Sequence, residues 1–173
     1  MALALQIGSE VNYQDLAQTV GTDGKTIDRY IDLLEKAFVV FRLPALNRNV
    51  RNEIKMGKKV FFYDCGIRNA VINNFKPLAT RTDVGALWEN FVISERMKML
   101  AYQGKDVKQY FWRTTQQQEI DLVEENDNEF SAYKIKWNPR QRVRFSNTFT
   151  SNYPGTKTLA VSPSNIEEFL VEN

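Results

Sequence analysis

Residues 118–137 constrain the fold of this chain more than any other stretch. They read Gln-Glu-Ile-Asp-Leu-Val, a polar turn, then Phe-Ser-Ala-Tyr-Lys-Ile-Lys-Trp. Alternation predicts a strand with Ile120 and Leu122 on one face and Glu119, Asp121 and Val123 on the other. Asn126, Asp127 and Asn128 tolerate the left-handed backbone of tight turns, so the two runs read as a hairpin. On the second strand Ala132, Lys134 and Lys136 share a face, opposite Tyr133, Ile135 and Trp137. A carboxylate can therefore lie beside two lysines, either as a cross-strand ion pair or as a site.

The chemistry open to the chain is narrow. It has no histidine among its 173 residues and one cysteine, Cys65. That removes the usual general base near neutral pH, Ser/His and Cys/His nucleophile pairs, histidine-containing zinc sites and an internal disulfide. A lone thiol fits a reducing cytoplasm. Carboxylates, lysines and an oxygen-bound cation such as magnesium remain. With 43% hydrophobic residues the chain can bury a core. Its net charge of +2 argues for no polyanion by itself. No apolar run reaches membrane-spanning length. The opening Met-Ala-Leu-Ala-Leu-Gln reads as the end of a helix begun upstream in a longer protein.

Asn12 to Gly21 predicts a short helix capped by Asn12 and stopped by Gly21. Thr22 to Phe38 predicts a second, with Ile27, Tyr30, Ile31 and Leu34 as its buried stripe. Strands over 39–43 and 59–63 flank a basic segment carrying Arg48, Arg51, Lys55 and Lys58. Helix-turn-helix followed by a hairpin with a basic tip is the order of a winged helix. Such a unit either reads DNA or docks protein. In the DNA-reading case Lys25, Arg29, Arg48, Arg51 and Lys58 are the nucleic-acid-binding residues. Asp23, Asp28 and Asp32 on the same helix oppose that use. Gly21-Thr-Asp-Gly-Lys-Thr26 is not a phosphate-binding loop, because Thr19 stands where the motif needs glycine and a helix precedes it.

Farther on, 66–73 predicts a turn or two of helix, and 84–103 a long helix capped by Thr82 or Asp83. Its apolar face is Leu87, Trp88, Phe91, Val92, Met99 and Leu100, with Glu89 and Glu95 beside it. A strand over 109–113, the hairpin, a helix over 140–150 from Pro139, a strand over 156–161 and a last helix over 165–171 follow. Three meandering strands are antiparallel neighbours, and the 140–150 helix crosses to a parallel partner. Trp88, Trp112 and Trp137 read as core. Arg140, Arg142 and Arg144 with the two lysines form either a basic patch or a solvated face.

Five phrases carry a family resemblance: residues 26–35, Lys59-Val-Phe-Phe-Tyr-Asp-Cys-Gly-Ile67, Gly85-Ala-Leu-Trp-Glu-Asn-Phe-Val92, Gln118-Glu-Ile-Asp-Leu-Val123 and Lys134-Ile-Lys-Trp-Asn-Pro139. In them the chain resembles the C-terminal region of a widespread group of predicted AAA+-type bacterial and archaeal ATPases. The resemblance implies an α+β or α/β chain: a winged-helix domain over 1–75, then an αβββαβ restriction-endonuclease-like mixed sheet over 76–173. The second part resembles the PD-(D/E)XK nucleases. That likeness places Glu89, Asp121 and Lys136 at catalytic positions, with Lys134 where a metal-binding acid belongs. Replacing that acid by an ammonium removes an oxygen ligand and favours an Asp121–Lys134 pair over magnesium. Glu119 is the substitute ligand, which makes Asp121 and Glu119 the metal candidates.

Three functions follow from the resemblance. One is a nucleic-acid- or protein-binding module with a degenerate nuclease-like site. Another is an active magnesium-dependent nuclease using Glu89, Asp121 and Lys136. The last is an oligomerisation or substrate-selection module. Implied partners are the ATPase domain of the same full-length protein and DNA, with no membrane. ATP would enter only through that ATPase domain.

Overall fold

The structure, a computed structural model, describes residues 1–47 and 57–171. Arg48, Arg51 and Lys55 lie outside the described residues.

A short helix, α1 (Ala2–Leu5), precedes α2 (Tyr13–Val20). The Gln14 N–H donates to Asn12 Oδ1 at 2.9 Å and caps α2. The helix stops at Gly21, whose φ of +76° is the left-handed turn that glycine permits. Asp23 caps α3 (Gly24–Lys36) by accepting from the Thr26 N–H at 3.0 Å. The buried stripe of α3 is narrower than its spacing predicts. Ile27 and Ile31 are buried, but Tyr30 is 60% exposed and Leu34 is 36% exposed. The reason lies on the next strand. Arg42 gathers Asp28, Asp32 and Glu35 at 2.7, 2.5 and 2.6 Å, and so fixes how α3 is rotated.

That strand, β1 (Val40–Pro44), pairs antiparallel with β2 (Lys58–Phe62), Val40 opposite Phe62 and Leu43 opposite Lys59. The ribbon is apolar on both faces. Val40, Val60 and Phe62 join Leu16, Ile27 and Ile31 in one core. Phe41, Leu43 and Phe61 face the other way, into a second core with Trp88, Val92, Ile93, Phe111 and Leu122. Each such fully buried side chain contributes roughly 1.5–3 kcal/mol.

Past α4 (Cys65–Val71), α5 (Val84–Tyr102) crosses this second core. Its buried surface differs from the predicted apolar face: it includes Asn90 and Ser94, whereas Phe91 is 37% exposed. Asn90 accepts from the Phe62 N–H at 2.7 Å and donates to the Phe62 carbonyl at 3.0 Å, tying α5 to the end of β2. Asp83 precedes α5 but makes no capping bond; its carboxylate pairs with Arg81 and Arg68 instead.

Strands β3 (Lys108–Arg113), β4 (Glu119–Asn126), β5 (Glu129–Ile135) and β6 (Lys157–Val161) form a sheet in that order. The first three are antiparallel and β6 runs parallel to β5, as the sequence predicts. The β4–β5 turn falls at Asp127 and Asn128, with φ of 49° and 66°. One parallel bridge, Ala45 to Phe111, sets the ribbon beside β3, and the Leu46 N–H donates to the Phe111 carbonyl at 2.6 Å. The described residues form a mixed α+β protein with two sheets.

Three expectations are corrected. The register slips between Tyr110–Val123 and Trp112–Ile120, so β4 carries a bulge at Asp121-Leu122. Ile120 and Val123 therefore share one core and Leu122 enters the other, breaking strict alternation. The helix expected over 140–150 is only α6 (Asn147–Asn152). Asn138 Oδ1 accepts from the Arg140 N–H at 3.0 Å, a local turn that competes with helix, and the cap falls at Ser146. Trp137 is 41% exposed, packed edge-on against Trp88 and not enclosed. The last helix, α7 (Ile166–Val171), packs Phe169 on Tyr133.

Candidate functional site

Asp121 is held by the bulge. Its Oδ2 accepts from the Ile135 N–H at 2.6 Å, taking the place of a ladder bond where β4 and β5 part. Lys136 Nζ lies 3.5 Å from the same oxygen. The Asp121–Lys134 pair expected from the sequence does not form: Lys136 is the partner, and Lys134 makes no ion pair among the described residues. The ammonium of Lys134 instead borders an open polar cleft of about 560 Å³ with Glu119, Asp121, Lys136, Arg144 and Ser146. Ser146 donates to Gln118 Oε1 at 2.6 Å and pins the start of α6 over β4.

The decisive residue is one the sequence reading passed over. Lys59 on β2 is 2% exposed. Alternation from Phe61 turns it toward the second core, where its Nζ lies 2.6 Å from Glu119 Oε1 and 3.0 Å from Glu89 Oε1. It also sits 5.5 Å above the Phe111 ring. A lysine opening a run of four apolar or aromatic residues was the available signal. Burial pulls its amine down in pKa, but Glu89 and Glu119 outweigh that and the net shift is upward. Burial dominates at Glu89 and, with Asp121 and Glu119 adding to it, pushes the carboxyl up to about 7 against the pull of Lys59.

Glu89, Glu119 and Asp121 thus come together electrostatically, but the arrangement does not fit magnesium. An ammonium already lies within hydrogen-bond reach of two of the carboxylates, and Lys136 holds the third. Among the described residues no three acidic or thiol side chains converge as ligands for a metal.

The other sequence-predicted residues lie elsewhere. Lys25 and Arg29 are exposed on α3, and Lys58 is exposed at the start of β2. The acids that were to oppose them are engaged: Asp23 in the cap of α3, Asp28 and Asp32 with Arg42. The far side of the sheet has a second cavity of about 350 Å³ beside Arg96 and Glu124. These two are joined by bonds of 3.0 and 2.9 Å.

Fold and cluster together define a mixed α+β protein whose two sheets share a buried charge cluster. The chain belongs to the family described as domain of unknown function DUF4143, whose model matches residues 84–170. Residues 1–78 match a second domain of unknown function, DUF8612. Among similar proteins are the uncharacterized proteins Mb2031c of Mycobacterium bovis and Rv2008c of Mycobacterium tuberculosis. Each is 29% identical over 124 residues, which is 70% of this chain and 27% of the relative. No solved structure matches the chain. Among the described residues no helix is long and apolar enough to cross a membrane.

Proposed function

We propose that this chain is a C-terminal module of an AAA-type ATPase that grips the phosphate backbone of nucleic acid through the cleft between β4, β5 and α6. The observation that carries this reading is the charge left over in the cleft. Lys59, shared with Glu89, pairs with Glu119 and Lys136 pairs with Asp121, while Lys134 and Arg144 border the same space with no ion-pair partner among the described residues. Two cations on a polar rim suit phosphate, which is bound through charge and not through base sequence. DUF4143 domains are commonly C-terminal in AAA-ATPase-associated proteins, which supports the assignment to such a module.

We read the first domain, over 1–75, as a winged helix and the second, over 76–173, as nuclease-like. The support is element order: two helices and a ribbon, then helix, three antiparallel strands, helix and a parallel closing strand. Lys25, Arg29 and Lys58 offer a second, flanking contact on the first of these units.

Fluorescence anisotropy with a labelled DNA duplex tests the proposal. Affinity is expected to fall steeply as salt rises. Lys134→Ala and Arg144→Ala should each weaken binding and flatten the log–log salt slope by about one. Binding that is absent at low salt, or unchanged in both variants, rejects the cleft as the contact.

A further inference from the structure

A buried lysine between two carboxylates has the geometry of a bound cation. Lys59 Nζ contacts Glu89 Oε1 and Glu119 Oε1 at 3.0 and 2.6 Å, and its side chain is 2% exposed. The three groups come from β2, α5 and β4, so no local turn brings them together. We propose that Lys59 is the resident cation of this cluster: a divalent site held shut by a side chain of the same polypeptide. The proposal stands whether or not the neighbouring cleft binds nucleic acid.

Lys59 is covalently tethered, so it competes at a high effective concentration with any ion from solution. A divalent ion entering between Glu89 and Glu119 would also strand the ammonium in a buried place without a partner. Both effects exclude the ion. Removing the amine reverses the position. Glu89 and Glu119 are then two carboxylates facing the volume the lysine vacated. Oxygen ligands of this kind take magnesium at about 2.0–2.1 Å, closer than they approach the ammonium.

The test uses the whole chain and Mn²⁺ as the probe, followed by electron paramagnetic resonance of free Mn²⁺ and by thermal unfolding. Wild type should show no stoichiometric Mn²⁺ site and no change in Tm. Lys59→Ala should melt lower than wild type in chelator, and its Tm should climb with the logarithm of Mn²⁺ concentration, as for any ligand that binds only the folded state. In Lys59→Ala combined with Glu119→Gln the climb should vanish, which separates the cluster from weak surface binding. A stoichiometric Mn²⁺ site in wild type that Asp121→Asn removes would overturn the proposal. So would a folded Lys59→Ala variant indifferent to Mn²⁺, or one that stays unfolded at millimolar Mn²⁺.

Discussion

Glu89 lies under two opposed influences, and its pKa is set by their balance. Burial in the second core raises its pKa to about 7, with Asp121 and Glu119 adding to the effect and Lys59 opposing it. A carboxyl raised above its ordinary 4.5 binds its proton more readily in the folded chain than in the unfolded one. Its contribution to stability is therefore complete below about pH 4.5 and is lost as pH rises through about 7. Glu89→Gln removes this dependence. Urea unfolding from pH 4.5 to 8 should show the variant gaining on wild type as pH rises through that window and holding level above it. A stability difference that ignores pH would contradict the assignment. At this scale the sequence was partly legible. That Asp121 faces a lysine of the neighbouring strand could be read from alternation, because the hairpin is local; which lysine could not, because the bulge gives it to Lys136 and not to the expected Lys134. Lys59 could not, because its carboxylates lie 30 and 60 positions away and only tertiary packing selects them.

The elements follow local chemistry where that chemistry is strong. The β4–β5 turn is the clearest case, since Asp127 and Asn128 adopt the left-handed φ values their side chains tolerate. Asn128→Val puts a β-branched residue at a φ of 66°, at a cost of about 1–2 kcal/mol. Asn128→Gly should be neutral or stabilising. Denaturant midpoints for the pair check this, and equal stability of Val and Asn would refute it. The elements misread were those in which two local preferences compete. Pro139 can open a helix over the residues that follow it, yet the Asn138 turn takes the backbone first and leaves only α6. On α3 the apolar spacing marks four residues, but the demand of Arg42 for three carboxylates turns two of them outward.

Across the whole molecule, the two family matches meet between residues 78 and 84, but the packing does not divide there. Phe41, Leu43 and Phe61 complete the core that Trp88, Val92 and Phe111 begin. The Ala45–Phe111 bridge and the Lys59 cluster add backbone and charge to the same junction. A chain of residues 79–173 alone would expose that apolar face and leave Glu89 and Glu119 without their counter-ion. It is expected to lose near-ultraviolet circular dichroism and cooperative melting, and to regain both when residues 1–78 are added. Independent cooperative melting of the two pieces would refute this coupling. The order of the elements was readable along the chain, but their junction was not, because it depends on a ribbon apolar on both faces. Period-two patterning identifies such a ribbon as buried without saying against what.

The bulge in β4 also bears on insertion and deletion. Phe111 stands opposite two residues where a regular strand would offer one, and Leu122 already fills the core on that face. Asp121 is thus the supernumerary residue of the pair. A shorter strand running from Ile120 directly to Leu122 would keep Ile120, Leu122 and Val123 facing as they do now. Its length would suit the sheet equally well, but it would carry no acid at the cleft.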